Sequence, residues 1–375
     1  MADWAELPND LISHIANRVK VIEDFIAFRS VCTSWRIAAI KDDFDVFSPQ
    51  IPLLMLGAKH EDDFRELYSL SKNKVSRLFL PEARNAECFP TEGWLCTVAN
   101  TSRDGDMNLL HPFSGTQIQL PSLKILLAFH DFDHRPTVQY VIKAVLSANP
   151  SITSDYVLML WYNAHDGGGG LAFWRPGYLN WTHIKAPRLT SVASMIYHKG
   201  KYYYICYGGR FYNLCSNFKP HLLVTLDDLF YQHPVQFYLV EVSGALLLVT
   251  RFYNIDEDEV DFANGGRSVE TYKFEVCELD VTKGELKEIK NLGDSTIFVG
   301  RNEASCIDSS KFTGVKPNHI YFTDDWFDFN REQEGGVGRD MGAYNLEVGK
   351  IESIYPELSI SLICPPTWIS PSFIM

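Results

Sequence analysis

Apolar residues recur at a helical period over the first 45 or so residues. Pro8 is placed for the first turn of a helix, and Asp10 lies in that turn, where a negative charge suits the helix dipole. Three short helices in so few residues make a small core, and their spare apolar surface predicts a docking module. The apolar positions of the three predicted helices are Leu11, Ile15 and Val19, then Phe25, Phe28 and Val31 or Cys32, then Trp35, Ala38 and Ala39.

From Ile51 onward the pattern changes to short strands broken by Gly, Asn, Asp and Pro. Regular short strands with turn signals between them are typical of a sandwich, a barrel or a propeller. The clearest predicted strands are 52–56, 138–147, 156–162, 201–207, 235–242 and 318–323.

A recurring hairpin, with a polar turn between two strands, favours the propeller. Successive turns are 40 to 67 residues apart, with a mean of about 55, which is close to the ~50 residues of a kelch-type blade. Six turns predict six four-stranded blades, with five or seven as alternatives, and the segment 358–364 is expected to close the ring with early strands. The six turns lie near Asn73, Gly115, Gly177, Asn217, Gly284 and Gly349.

The chain is rich in aromatic residues, with 18 Tyr, 24 Phe and 8 Trp among 375 residues. Such residues favour pleated, half-buried surfaces, and we expect most of them to fill the spaces between blades. The aromatic residues predicted to pack in this way are Trp161, Trp174, Trp181, Tyr202, Tyr203 and Tyr204.

Charge and cysteine content limit the classes of partner. The net charge is −13 at pH 7 without a dense Lys/Arg block, so neither nucleic acid nor an anionic membrane is an expected partner. The N-terminus is acidic and polar, unlike a signal peptide, and the eight cysteines include no CxxC pair. We therefore expect buried free thiols, no metal, no cofactor, and residence in the nucleus, the cytoplasm or both.

Two N-terminal segments carry a recognisable motif. Residues 7–15 read LPNDLISHI, and residues 24–36 read DFIAFRSVCTSWR. Together they resemble an F-box, whose signature is Leu-Pro-x-Asp/Glu-Leu-Ile/Leu followed, after a gap, by Phe/Leu-Arg-x-Val-Cys-x-x-Trp-Arg. Both halves match at the expected separation.

The rest of the chain carries a second resemblance. The stretches 108–115 (NLLHPFSG), 292–300 (LGDSTIFVG) and 318–325 (NHIYFTDD) are similar to those of a large plant F-box family with a kelch-like, KIB-type propeller. His111 stands where that family often has Asn. The resemblance implies an F-box over residues 1–47 and a substrate-recognition propeller over 50–375.

The F-box resemblance implies docking onto the Skp adaptor of an SCF (Skp–cullin–F-box) ubiquitin ligase, and through it to the cullin and RING subunits. The chain would be a noncatalytic substrate receptor. Ile15 and Phe28 are expected to pack the helices together. The residues predicted to contact the adaptor are Leu7, Pro8, Leu11, Ile12, Ile15, Val31, Cys32, Trp35 and Arg36.

A target-binding face is predicted from long insertions between the second and third strands of the blades. The segments 163–170, 253–268 and 324–341 are assigned there, since insertions on one side of a repeat scaffold mark its binding side. The alternative is that these acidic loops are only solvated. The candidate target-binding residues are Tyr253, Asp256, Glu257, Asp258, Glu259, Asp325, Trp326, Phe327 and Phe329.

A rival hypothesis of a different class is an enzymatic or carbohydrate-binding propeller whose F-box serves only for scaffolding. No Ser-His-Asp or Cys-His set can be assembled from spacing in this sequence. The rival would require acidic, Tyr or Arg side chains that converge on the central channel.

Overall fold

Three short helices precede a ring of β-sheets. The computed structural model describes residues 4–19, 21–40, 50–99, 105–123, 126, 138–164, 169–184, 192–215, 217–226, 234–261, 266–325 and 338–372. After a single 3-10 turn at Trp4–Glu6, the helices are α1 (Asn9–Ala16), α2 (Ile22–Arg29) and α3 (Thr33–Ala38). None of the described helices is long and apolar enough to cross a membrane.

The strands form six sheets, and each sheet is one blade of a propeller. Blade 1 contains β1 (Leu53–Met55), β2 (Phe64–Ser69) and β3 (Lys74–Phe79), and blade 2 contains β4 (Ala86–Thr91), β5 (Trp94–Ala99), β6 (Met107–Leu110) and β7 (Gln117–Gln119). Blade 3 contains β8 (Val138–Leu146), β9 (Leu158–Ala164), β10 (Gly169–Trp174) and β11 (Thr182–Ile184), and blade 4 contains β12 (Val192–His198), β13 (Lys201–Cys206), β14 (Arg210–Leu214) and β15 (Pro220–Thr225). Blade 5 contains β16 (Val235–Val242), β17 (Ala245–Asp261), β18 (Gly266–Asp280) and β19 (Glu285–Ile289). Blade 6 contains β20 (Ser295–Val299), β21 (Ala304–Asp308), β22 (His319–Phe322), β23 (Gly342–Asn345) and β24 (Lys350–Glu352).

The six-blade prediction is confirmed, and each of the six predicted strands falls on an observed strand. The six predicted turns all join the two outermost strands of their blades. Asn73, for example, has φ +47° between β2 and β3, and Gly284 has φ +70° between β18 and β19. Positive φ is accessible to Gly and Asn at little steric cost, so these residues mark the turns in the sequence.

The last strand of the chain closes the ring. Strand β25 (Thr367–Ile369) pairs antiparallel with β1 and supplies the innermost strand of blade 1. The prediction that residues 358–364 would do this was wrong. Those residues form a bend in which the Ser361 hydroxyl donates to the Ala58 carbonyl at 2.7 Å, and Pro365 and Pro366 follow before the strand begins.

Blade 6 departs from the four-stranded plan. The order of its strands from the axis outward is β21-β20-β22-β23-β24, and β20 and β22 are parallel. Strand β20, which is second from the axis, therefore precedes the innermost strand β21 in the sequence. The segment 324–341 therefore lies between the third and fourth positions of a five-stranded sheet, and its assignment between second and third strands was wrong. The prediction of a loop over 253–268 was also wrong, because β17 and β18 continue into it and remain paired as far as Asp261 and Gly266.

Aromatic and aliphatic side chains fill the spaces between blades. Trp161 and Tyr204 are fully buried in one cluster between blades 3 and 4, and the stacked rings of Tyr204 and Tyr212 lie 5.0 Å apart. All six aromatic residues predicted to pack are at most 5% exposed. Stacking blades in this way buries the faces that one sheet alone would leave in water.

The innermost strands β25, β4, β8, β12, β16 and β21 surround the propeller axis. We call the face that carries the turn after each innermost strand the lower face, and the opposite one the upper face. The outer turns at 70–73 and 111–116 share the lower face. Helix α2 is fixed there, because Lys72 forms an ion pair with Asp24 at 2.6 Å and Phe113 packs against the helical core.

Candidate functional site

The helices enclose a small core of their own. Ile12, Ala16 and Phe25 are fully buried, and the Ser13 hydroxyl donates to the Ala38 carbonyl at 2.6 Å, which ties α1 to α3. Ile12 therefore packs inside the unit, and its assignment to an adaptor-binding surface is corrected. Ile15, expected in the core, is instead 39% exposed.

The same helices leave apolar side chains in solvent. Leu11 is 48% exposed and Val31 is 59% exposed, and both belong to the predicted docking set. Isolated exposed apolar residues are ordinary, but a group on one 40-residue unit marks an interaction surface. Trp4, Ile37 and Ile40 are also exposed and were not singled out from the sequence, although Ile37 and Ile40 closely follow the predicted Trp35 and Arg36 and are three residues apart.

Trp35 has a structural role as well as a partly exposed surface. Its ring lies 4.4 Å from that of Phe28, and its indole N–H donates to the Trp4 carbonyl at 2.9 Å. The Cys32 sulfur caps α3 by accepting a hydrogen bond from the Trp35 amide at 3.5 Å. Pro8 and Arg36 are exposed, and Leu7 is half-buried.

The predicted target-binding residues divide into three groups. Tyr253 is 3% exposed and the Asp325 side chain is 2% exposed, so neither offers a surface to a partner. The acidic run 256–259 belongs to the backbone of β17. Trp326, Phe327 and Phe329 lie outside the described residues, and their role at a target interface stays a prediction.

Arg251 lies at the centre of a buried charge network near the upper face. Its side chain is fully buried, and its guanidinium donates to Asp325 at 3.0 Å and to Asp340 at 2.8 Å. It also donates to the Thr323 carbonyl at 2.8 Å and to the Thr271 hydroxyl at 2.6 Å. Arginine suits this position because its planar fork satisfies several acceptors at once.

This network joins the two ends of the segment 326–337. Asp324 and Asp325 precede the segment, and Asp340 follows it closely. One Asp324 carboxylate oxygen accepts the amides of Gly338 and Arg339 at 2.9 and 3.0 Å. Arg251 and Asp324 therefore hold both ends of the segment at one place on the propeller.

The segment 300–303 enters the central channel and closes it. Arg301 pairs with Glu87 of blade 2 at 2.8 Å, and the Lys143 ammonium of blade 3 donates to the Arg301 carbonyl. The Asn302 side-chain amide donates to the Ala144 carbonyl at 2.8 Å, and its side-chain oxygen accepts a hydrogen bond from the Ala144 backbone amide at 2.9 Å. A neighbouring strand would make the same pair of bonds. This axial plug connects three blades through buried polar contacts.

Below the plug is a pocket of about 210 Å³ that opens on the lower face. Its walls come from five blades and mix carboxylate, aromatic and aliphatic side chains. The described lining residues are Pro90, Thr91, Glu92, Val145, Leu146, Met195, Ile196, Tyr197, Leu239, Glu241, Asn302, Glu303, Ala304 and Ser305. We call this space the axial pocket.

Burial governs the titration of Glu303 in the axial pocket. Desolvation, and then the charge of Glu92, raise the pKa of Glu303 to about 8. Burial, and then the Glu241 charge, also raise the pKa of Glu92. The Glu241 carboxylate contacts the His198 ring at 2.6 Å. Among the described residues, the axial pocket included, no group of three or more His, Cys, Asp or Glu is arranged to hold a metal ion.

Sequence reasoning did not find the axial pocket. Glu92, Glu241 and Glu303 are about 60 to 150 residues apart and belong to three blades. The only sequence signal for the pocket is the position of two of these residues, since Glu92 and Glu241 lie at or just after the end of an innermost strand. That position can be read only after strands have been assigned to blades.

Comparison with known proteins agrees with both parts of the fold. The sequence model of the KIB1-4 beta-propeller family matches residues 67–345, and that of the F-box domain matches residues 4–47. Among similar Arabidopsis thaliana proteins, F-box protein At2g26160 is 26% identical over 86% of this chain and 96% of its own length. F-box/kelch-repeat protein At1g64840 is 24% identical over 87% of this chain and 85% of its own. F-box protein At2g17036 is 25% identical over 99% of this chain and 96% of its own.

The family match covers most of the six-bladed ring, and the F-box match coincides with the three helices. The chain therefore belongs to the family of F-box proteins with a KIB1-4 β-propeller.

Proposed function

We propose that this chain is the substrate-receptor subunit of an SCF-type E3 ubiquitin ligase. Its helices dock onto the Skp adaptor, which connects it to the cullin and RING subunits, and its propeller holds the protein to be ubiquitinated. The observation that carries the proposal is the F-box match over a helical unit with exposed Leu11, Ile15 and Val31.

The energetics of this surface suit a stable contact. Burial of apolar surface contributes about 25 cal/mol per Å², so each exposed aliphatic side chain that becomes buried contributes about 1 kcal/mol or more. Leu11, Ile15, Val31, Ile37 and Ile40 together supply several kcal/mol before association costs. Arg36 is exposed beside them and is a residue type common among interface hot spots.

In this proposal the chain is noncatalytic. It accelerates ubiquitin transfer by holding a target near the ubiquitin carrier, which raises the effective concentration of the target lysine. The eight cysteines are free, which suits a reducing compartment, and we place the protein in the nucleus, the cytoplasm or both.

Adaptor binding is tested by co-purification of the full chain with a recombinant Skp adaptor. The variant carries Leu11→Asp and Val31→Asp, because both side chains lie outside the helical core and their replacement leaves that core intact. Charges buried against a partner are costly, so we expect at least a tenfold loss of bound adaptor. Exposed positions are preferred to Trp35, whose loss would also disturb its packing on Phe28.

The matched control is Leu179→Asp. Leu179 is 89% exposed in blade 3, far along the chain from the helices, and its change introduces the same chemistry elsewhere. This control should bind the adaptor like the parent chain. If the Leu11 and Val31 double variant also binds normally, the docking assignment is wrong.

A further inference from the structure

We propose that the axial pocket binds the ammonium group of a lysine side chain presented by the target protein. This inference rests on the proposed function in one respect only, namely that the lysine belongs to the target protein. The binding itself depends on the shape, the walls and the charges of the pocket.

The axial pocket has the form of a receptor for one side chain. The axial plug lies across its upper end, where Asn302 bonds both Ala144 and the Pro90 carbonyl. Glu92 and Glu241 line the pocket at the lower ends of β4 and β16, so its described walls extend to the lower face. A water molecule occupies about 10–15 Å³ of such a space, so 210 Å³ admits a chain of several methylene groups with a polar head. The five blades that form the walls leave little freedom for the pocket to collapse.

The chemistry of the walls selects a cation on an apolar stem. Glu92, Glu241 and Glu303 supply three carboxyl groups, and no lysine or arginine is among the described lining residues. Ile196 and Leu239 supply aliphatic surface that suits the methylenes of a lysine, which commonly buries its stem and keeps its charged head among polar groups.

Ammonium fits this arrangement better than guanidinium. The three carboxyl groups come from three different blades around one axis, and an ammonium group has three donors that point in separate directions. Guanidinium is planar and is best bound by one carboxylate that accepts two parallel bonds. The cations above the pocket are already engaged, since Arg301 pairs with Glu87 and Lys143 with the Arg301 carbonyl.

Binding of a cation is coupled to proton release. Burial raises the pKa of Glu303 to about 8, so this carboxyl retains its proton at neutral pH in the empty pocket. An ammonium group favours the ionised carboxylate and displaces that proton. The titratable groups that face Glu303 are Glu92 at the β4–β5 turn, Glu241 on β16 with its partner His198, and Tyr197 on β12.

The axial pocket and the helices lie on the same side of the propeller, as a substrate receptor would require. The axial pocket opens on the lower face, and the helices are fixed on that same face through Lys72 and Phe113. A segment anchored by one lysine would therefore lie on the side of the propeller that carries the adaptor-binding unit. The axial pocket thus competes with the upper-face loops as the place where the target is held.

The experiment uses the full chain in complex with the Skp adaptor and measures binding of Nα-acetyl-lysine methylamide by calorimetry and ligand-detected NMR. Glu303→Gln keeps the shape of the side chain and removes its charge. The matched control is Glu347→Gln, because Glu347 is exposed at the β23–β24 turn, away from the axis. We expect at least about tenfold weaker binding for Glu303→Gln and parent affinity for Glu347→Gln, because a charge-assisted contact is lost only in the former.

Three further ligands define the recognised group. The Nε-acetylated analogue and the norleucine analogue keep the stem and lack the charge, and neither should bind detectably. The arginine analogue should bind at least several-fold more weakly than the lysine probe. Calorimetry at pH 7 in buffers of different ionisation enthalpy should show proton release on lysine binding that is absent in Glu303→Gln.

Each other outcome overturns a stated part of the inference. Equal binding of the norleucine analogue would show an apolar site, and equal binding of a free diamine such as putrescine would show a small-molecule amine site. If the lysine probe does not bind while the Skp adaptor co-purifies normally, the axial pocket is refuted and the ligase proposal stands. If the probe binds but the adaptor does not, the ligase proposal fails and the pocket remains a lysine site.

Discussion

Replacing Arg251 by methionine should destabilise the propeller by about 3–5 kcal/mol. The guanidinium is fully buried and compensates the carboxylates of Asp325 and Asp340, whose side chains are 2% and 11% exposed. Methionine fills much of the same volume and leaves two negative charges without their partner, and breaking a buried pair in this way typically costs about 3–5 kcal/mol.

The magnitude can be measured by urea and thermal unfolding. At about 2 cal/mol/K per residue, a ring of this size loses about 1.5 °C of Tm per kcal/mol, so the midpoint should fall by about 5–7 °C. Lysine at the same position keeps the charge but not the fork of donors that reaches Thr271, Thr323 and Asp325 together, so Arg251→Lys should recover only part of the loss.

The matched test removes the negative charges that Arg251→Met leaves without a partner. Adding Asp325→Asn and Asp340→Asn to Arg251→Met should restore at least half of the lost stability, because the cost arises from uncompensated charge. If Arg251→Met unfolds within about 1 kcal/mol of the parent, or if the two Asn substitutions bring no recovery, the account of a buried charge network is wrong.

Three further perturbations test separate parts of the structure. Since the pKa of Glu303 is raised to about 8, the folded chain holds a proton that the unfolded chain releases near pH 4.5, so stability falls as pH rises through this window. Glu303→Gln should remove this fall, measured as urea unfolding at steps from pH 5 to 8, and an unchanged pH profile would contradict the assignment. Trp368→Ala removes a ring from the closing strand β25 and should cost about 3–5 kcal/mol in the same assay, whereas a loss under about 1 kcal/mol would show that closure does not depend on it. Gly338→Ala should lower the Tm clearly more than Gly177→Ala, because both glycines have positive φ but a Cβ at Gly338 would lie 2.0 Å from the Ser359 carbonyl oxygen, while one at Gly177 meets nothing within 4 Å. Equal Tm values for these two alanine variants would refute the close approach.

Local signals predicted the repeating part of the fold well. Five of the six outer turns, such as those at Asn73 and Gly284, place a Gly or Asn at positive φ, and such residues are visible in one sequence without knowledge of the ring. In the turn after β14, Phe218 and not the neighbouring Asn217 has positive φ. Strands such as β8 and β16 are continuous apolar runs because both faces of a blade are buried between neighbours.

What failed depended on contacts between distant segments. The closing strand is set by pairing of Leu54 with Trp368, more than 300 residues apart, and no local pattern distinguishes it from the apolar run at 358–364. The five-stranded order of blade 6, with β20 between β21 and β22, likewise depends on pairing that no local pattern shows.

The candidate site shows the same division. The two-part motif located the three N-terminal helices, but helical spacing alone did not decide that Ile12 faces inward and Ile15 outward, because short helices can turn either side to so small a core. The three carboxyl groups of the axial pocket line one space only once the ring is complete, so their common location could not be read from spacing.

Closure of the ring by its last strand also has a consequence for biosynthesis. Strand β1 emerges from the ribosome about 310 residues before β25, its neighbour on the axial side. At about 5–20 residues per second, the inner edge of blade 1 stays unpaired for roughly 15–60 s. During that interval the exposed edge of β1 is open to other strands, and the helical unit has already been synthesised. A chain that terminates before β25 would carry the complete helical unit on an open ring. Under the proposed function, such a chain should compete for the adaptor without a closed propeller.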